Sequence, residues 1–140
     1  MSLELIPLAH AVYQTRQFIE VGVGPAGRRV IGEIKSVRFE GDRLSADLFG
    51  VAAADWVAVG PKSVIMVDVR YTLNTDDGAL IYVQYDGRSD GGDGEGRLPT
   101  YSAARFETAD SRYGWLNTIL AVGKGEFRGE ELHYDWFELR

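Results

Sequence analysis

Asp68 and Arg70 stand two residues apart inside a β-rich run, where an acid and a base on one strand face could bind or move charge. Period two puts them on the same side, roughly 7 Å apart along the strand. Val64 and Met66 share that side, while Ile65, Val67, Val69, Tyr71 and Leu73 form the other, apolar one. If the apolar side fills the core, Asp68 and Arg70 point to water and contribute little. If the chain closes around a polar lumen, they point inward and must find partners there. The planar guanidinium of Arg70 suits a carboxylate, whether of Asp55, of Glu107 or of a ligand.

Other groups read in two ways as well. Asp55 and Trp56 follow an alanine run. They make either an Asx turn or cap with a core indole, or a carboxylate and an aromatic wall at a cavity mouth. Trp115 and Asn117 alternate with Ile119 and Ala121, as a pocket wall would, or as a core tryptophan with an amide bonding nearby backbone. Glu107, between Phe106 and Thr108, is a solvated glutamate or a lumen acid. Tyr71, Tyr82 and Tyr85 offer phenols for hydrogen bonding, or simply pack.

Several chemistries are disfavoured. The chain has 140 residues and no cysteine, which removes disulfides, thiolate metal sites and cysteine catalysis. His10 and His133 are too few and too isolated for a metal argument, and no cofactor motif occurs: no phosphate loop, no dinucleotide fingerprint, no Gly-x-Ser-x-Gly. A net charge of -6 speaks against nucleic-acid binding. No apolar run approaches the roughly 20 residues that span a membrane, and the N-terminus lacks the basic start of a secretory signal. A cytoplasmic protein is the expectation.

The elements that must position these groups are strands. Residues 11–23 read as a long strand closed by the turn 24–27, followed by strands over 28–39 and 43–51. Residues 52–56 read as a short helical turn or loop. Residues 63–85 read as a hairpin around the Asn74–Gly78 turn. The last two strands fall at 115–122 and 130–139, with at most one helical turn at 110–114. No window keeps a sustained 3.6-residue apolar period. Short strands with Gly turns predict an all-β chain, one domain over 1–140, folded as a single antiparallel barrel of about eight to ten strands, lipocalin- or streptavidin-like. Residues 86–98 are rich in Gly and acids, and 86–97 contain no apolar side chain. They read as an inter-strand loop: a surface excursion, a lid, or a calcium loop through Asp90, Asp93 and Glu95, although without EF-hand spacing.

Taken in order, Arg28 after Gly27, Ala54-Asp55-Trp56, Asp68 to Tyr71, Asp76-Asp77-Gly78, Phe106-Glu107-Thr108 and Trp115-Leu116-Asn117 resemble a family of small, mostly bacterial proteins, the domain of unknown function 3237. The resemblance covers nearly the whole chain. It departs at Ala52, Ala53 and Ala54, where the family commonly has a Gly-Gly pair. It implies a compact antiparallel β-barrel, and it favours a lumen position for Asp68 and Arg70.

The expectation is a small-molecule-binding barrel acting as a cofactor-independent acid/base enzyme, an isomerase, lyase or hydrolase for a small aromatic or carbonyl compound. Asp55, Arg70 and Glu107 are the catalytic candidates. Trp56, Asp68, Tyr71, Tyr82, Trp115 and Asn117 are the ligand-binding ones. The alternatives are a non-catalytic carrier and a homodimeric interaction protein. A homodimer is compatible with all three.

Overall fold

The computed structural model describes residues 1–91 and 99–140. Among these residues, nine strands form one antiparallel sheet that closes on itself: β1 (Leu5–Gly24), β2 (Gly27–Glu40), β3 (Ala46–Leu48), β4 (Ala54–Val59), β5 (Val64–Thr75), β6 (Leu80–Asp90), β7 (Thr100–Glu107), β8 (Ala121–Arg128) and β9 (Glu131–Leu139). From β5 to β9 each strand pairs with the next, β9 pairs with β1, and β1 with β2. The short strands β3 and β4 share one position, each bridging β2 to β5. The result is the all-β antiparallel barrel expected from the sequence. Closure leaves no long unpaired edge among the described strands.

Alternation sorts the side chains. Inward positions include Ala11 and Tyr13 of β1, Val37 and Phe39 of β2, Val69, Tyr71 and Leu73 of β5, Ile81, Val83 and Tyr85 of β6, and Tyr134 and Trp136 of β9, all buried. Glycines make room for the rings. A Cβ on Gly123 would lie 2.5 Å from the Trp136 indole, and one on Gly125 would strike the Tyr134 ring. β8 therefore supplies backbone where β9 supplies aromatic bulk.

Several segments differ from the sequence reading, which assigned no strand where β7 (Thr100–Glu107) lies, ran a strand over 43–51 where only Ala46–Leu48 is one, and ended at 122 the strand that runs Ala121–Arg128. Residues 54–59 are strand rather than helical turn or loop, because Asp55 and Val59 pair with Val69 and Ile65 of β5. Residues 86–90 are not loop: they continue β6. They need no apolar side chain, since the inward positions are Gly87 and Ser89 and the outward ones are Asp86, Arg88 and Asp90. The lid and calcium readings rest largely on residues 92–98, including Asp93 and Glu95, which lie outside the described residues. Finally, residues 111–118 form a 3-10 segment (Ser111–Thr118) where a strand was expected from 115. The Asp110 carboxylate starts it by accepting from the Arg112 amide at 2.9 Å. Its Leu116 is fully buried in the core, so the segment stoppers one end of the barrel.

Candidate functional site

The lumen carries one carboxylate from the list of candidates. Asp55 lies opposite Val69 on β5 and Gly32 on β2, both inward positions. Gly32 also leaves room for the ring of Phe18, whose nearest atom would be 3.3 Å from an added Cβ, with the Asp55 Cβ at 3.8 Å. A local break in the sheet holds the carboxylate. The Trp56 carbonyl accepts from Arg29 Nη1 at 2.9 Å, and the Asp68 amide donates to Asp55 Oδ1 at 3.1 Å. A side chain thus takes the place of a ladder bond between β4 and β5.

Burial pushes the Asp55 carboxyl up to about 6. The Asp68 amide pulls the other way and the Asp68 charge adds a smaller push. The charge of Asp55 is also felt by the phenols of Tyr85 and Tyr134, whose proton affinities burial raises, that of Tyr134 to about 12. At neutral pH the lumen therefore pairs a carboxyl near its titration point with neutral phenols.

Inward hydroxyls form two hydrogen-bonded groups, joined by ring contacts. Tyr13 and Tyr71 hydroxyls are 2.6 Å apart, the Trp136 indole N–H donates to Tyr13 at 3.3 Å, and Ser102 and Tyr134 hydroxyls are 3.0 Å apart. The Tyr13 ring meets those of Tyr71, Tyr85 and Tyr134 edge-on, and Tyr134 stacks on Trp136 with centroids 4.7 Å apart. The stoppered end is filled by Leu73, Ile81, Phe106 and Leu116. At the other end the inward residues Val57, Ile65, Val67, Thr100 and Leu132 are only half-buried. Burial thus deepens from a half-buried rim, past Asp55, to a packed phenolic and aromatic interior.

The other candidates are spread over the outside, with one exception. Tyr71 faces the lumen and belongs to its floor. Asp68 and Arg70 point outward, because Val69 and Tyr71 occupy the inward positions between and beside them. The lumen orientation favoured for them is thereby corrected. The Arg70 guanidinium lies over the Trp56 ring, 4.6 Å from its centroid, so Trp56 is an outer-wall residue too. Both line an outer cleft of about 630 Å³ that also includes Ile31 and Tyr82. Glu107 is exposed and lies opposite Tyr82 on the outer face. Trp115 and Asn117 sit on the 3-10 segment. Trp115 stacks under Arg43 at 4.9 Å and lines a cleft of about 520 Å³ with Asp77, Arg112 and Glu138. Asn117 clamps the Thr108 backbone, accepting from its N–H at 2.8 Å and donating to its carbonyl at 3.0 Å. That backbone role is one of the two readings its sequence allowed.

The lumen residues missed by sequence reasoning are Tyr13, Ser102, Tyr134 and Trp136. A signal existed for the last two. Along β9 they alternate with His133 and Asp135, polar side chains that suit the outer face and so leave Tyr134 and Trp136 the inner one.

Comparison with known proteins agrees with this architecture. The family model described as "Protein of unknown function (DUF3237)" matches residues 3–139. The chain belongs to that family. The UPF0311 protein RPA1785 of Rhodopseudomonas palustris is 30% identical over 132 residues, covering 83% of this chain and 81% of that protein. A crystal structure of a β-barrel-like protein from Acinetobacter baumannii superposes with a TM-score of 0.89 at 32% identity, over 100% of this chain and 98% of that one. A structure described as an enzyme from Penicillium herquei shares the fold at a TM-score of 0.71 and 21% identity, over 98% of this chain and 93% of that one.

Among the described residues, no group of three or more His, Cys, Asp or Glu could hold a metal ion, and no helix is long and apolar enough to cross a membrane.

Proposed function

We propose that this DUF3237 chain binds a small aromatic or carbonyl compound in its lumen and moves a proton on it, with Asp55 as the acid/base. The observation that carries the reading is the placement of Asp55: an inward carboxyl, raised to about 6 by burial, beside neutral phenols. A carboxyl titrating near the working pH is efficient as either base or acid. Phenolic and indole donors suit an oxygen that gains charge as a carbon-bound proton leaves. The fold's occurrence in a Penicillium herquei enzyme is consistent with such chemistry. Arg70 and Glu107 have no part in this version, since both lie on the outer face.

The carrier reading has one observation in its favour. The strong charges Asp68, Arg70 and Glu107 lie outside, and the lumen floor is aromatic. The two readings separate in one experiment. A panel of small aryl ketones and phenolic compounds is incubated with the protein in heavy water, with melting temperature and deuterium incorporation measured together. The enzyme reading expects incorporation that Asp55→Asn abolishes while the ligand-induced rise in melting temperature persists. A melting shift with no incorporation in the native protein overturns catalysis and leaves the carrier.

A further inference from the structure

The charged residues of β5, β6 and β7 that face away from the lumen form a pattern of their own. Cross-strand neighbours make rows across the outer wall. Arg70, Gln84 and Arg105 form one row, and Asp68, Asp86 and Ala103 the next. Thr72, Tyr82 and Glu107 flank the first row, while Met66, Arg88 and Tyr101 flank the second. Cationic and anionic rows thus lie side by side. Among the described residues, none of Asp68, Arg70, Asp86, Arg105 and Glu107 forms an ion pair. Arg28, Arg38, Arg112 and Arg128, by contrast, each pair with a carboxylate. Asp68 and Asp86 even sit directly opposite each other, a like-charge arrangement that costs stability in an isolated sheet.

We infer that this outer wall is an isologous interface with a second copy of the chain. The wall is self-complementary. Consider a two-fold axis lying across the strands, at the level of Val69, Tyr85 and Ala104. It carries each row onto its neighbour of opposite character. Arg70 then meets Asp68 of the second copy, Gln84 meets its Asp86, and Tyr82 meets its Arg88, each contact occurring twice. The Asp68–Asp86 repulsion is relieved by cations and amides that a lone chain does not supply. Clefts flank the pattern on either side of the axis. The one of about 630 Å³ holds Trp56, Arg70 and Tyr82, and one of about 780 Å³ holds Asp86, Arg88 and Tyr101. Across the axis the clefts meet only where Tyr82 of one copy faces Arg88 of the other. Tryptophan, tyrosine and arginine are the residue types that dominate interface energetics, and here Arg70 already lies over Trp56.

The test is sedimentation equilibrium of the full chain over a wide concentration range, with melting curves as the check on folding. The native protein should be dimeric. Arg70→Asp should weaken association by roughly a hundredfold, because it sets like charges against each other. The double variant Asp68→Arg with Arg70→Asp should restore the dimer, since the exchanged rows remain complementary. If Arg70→Asp does not fold, Arg70→Gln is the substitute, with a loss of roughly tenfold. A native protein that stays monomeric throughout overturns the inference. So does a dimer that survives Arg70→Asp, or one that the charge exchange fails to restore. None of these measurements depends on lumen chemistry.

Discussion

Replacing Asp55 with Asn tests the central physical statement about the lumen. Asn keeps the shape and still accepts from the Asp68 amide, but it cannot ionise. The carboxyl moves from an ordinary 3.8 to about 6 on folding, mainly through burial. A folded-state value above the unfolded one means the protonated form is favoured by the fold. Its stabilising contribution is present in full below about 4 and is lost as the pH rises through about 6. Each tenfold change in proton affinity is about 1.4 kcal/mol, so the full loss is about 3 kcal/mol. Asp55→Asn should therefore match the native protein near pH 4 and exceed it by up to about 3 kcal/mol at pH 7 to 8, or about 10 °C in melting temperature for a chain of this size. Asp76, Asp77 and Asp110 are held low by Arg38, Thr75 and Arg112 and add the opposite trend, but they are common to both proteins and cancel in the difference. Urea titrations at several pH values give that difference directly. A gap that stays flat from pH 4 to 8 refutes a desolvated carboxyl at this position, and the acid/base role with it.

Other substitutions separate lumen from wall. Gly123→Ala drives a methyl into the Trp136 ring and should cost about 1–3 kcal/mol by urea unfolding, with a disturbed near-UV aromatic signal. Tyr13→Phe removes the shared partner of Tyr71 and Trp136 and should cost about 1–3 kcal/mol. Asn117→Ala frees the Thr108 backbone and should lower stability by about 1–2 kcal/mol while leaving lumen ligand binding unchanged. Arg70→Ala should change monomer stability by less than about 0.5 kcal/mol and should leave deuterium incorporation by Asp55 at its native rate.

The barrel was legible because strand patterning is local: alternation around residues 63–85 and glycine turns need no knowledge of distant neighbours. The direction of Asp68 and Arg70 was not local. Five apolar residues on the opposite side, Ile65 to Leu73, already argued for an outward pair, and that plain reading is the one the fold adopts. Asp55 was found because a carboxylate next to an indole stands out, yet its inward direction depends on registration against β2 and β5. The strand at 54–59 was hidden by its alanines, and residues 86–90 by their lack of apolar side chains. In both, a crowded interior accepts small residues that a propensity argument discounts. Trp115 and Asn117 misled because alternation over a few residues does not distinguish a strand from a 3-10 turn.

The inner and outer walls meet at one residue. Asp68 donates its amide to the lumen carboxylate of Asp55, and its side chain lies on the outer wall among the unpaired charges. Its negative charge is one of the smaller causes that hold Asp55 up. An Arg70 brought against Asp68 by a second copy offsets that charge, so association lowers Asp55 slightly while burial continues to hold it near neutrality. The effect must be modest, because burial is the largest cause and the two carboxylates are separated by the thickness of the sheet. By linkage, raising the pH must then strengthen association slightly through the range in which Asp55 titrates. A barrel of this kind needs no moving part to couple its outside to its interior. The pleat of β5 places the peptide of one residue against the lumen acid and its side chain in the outer wall.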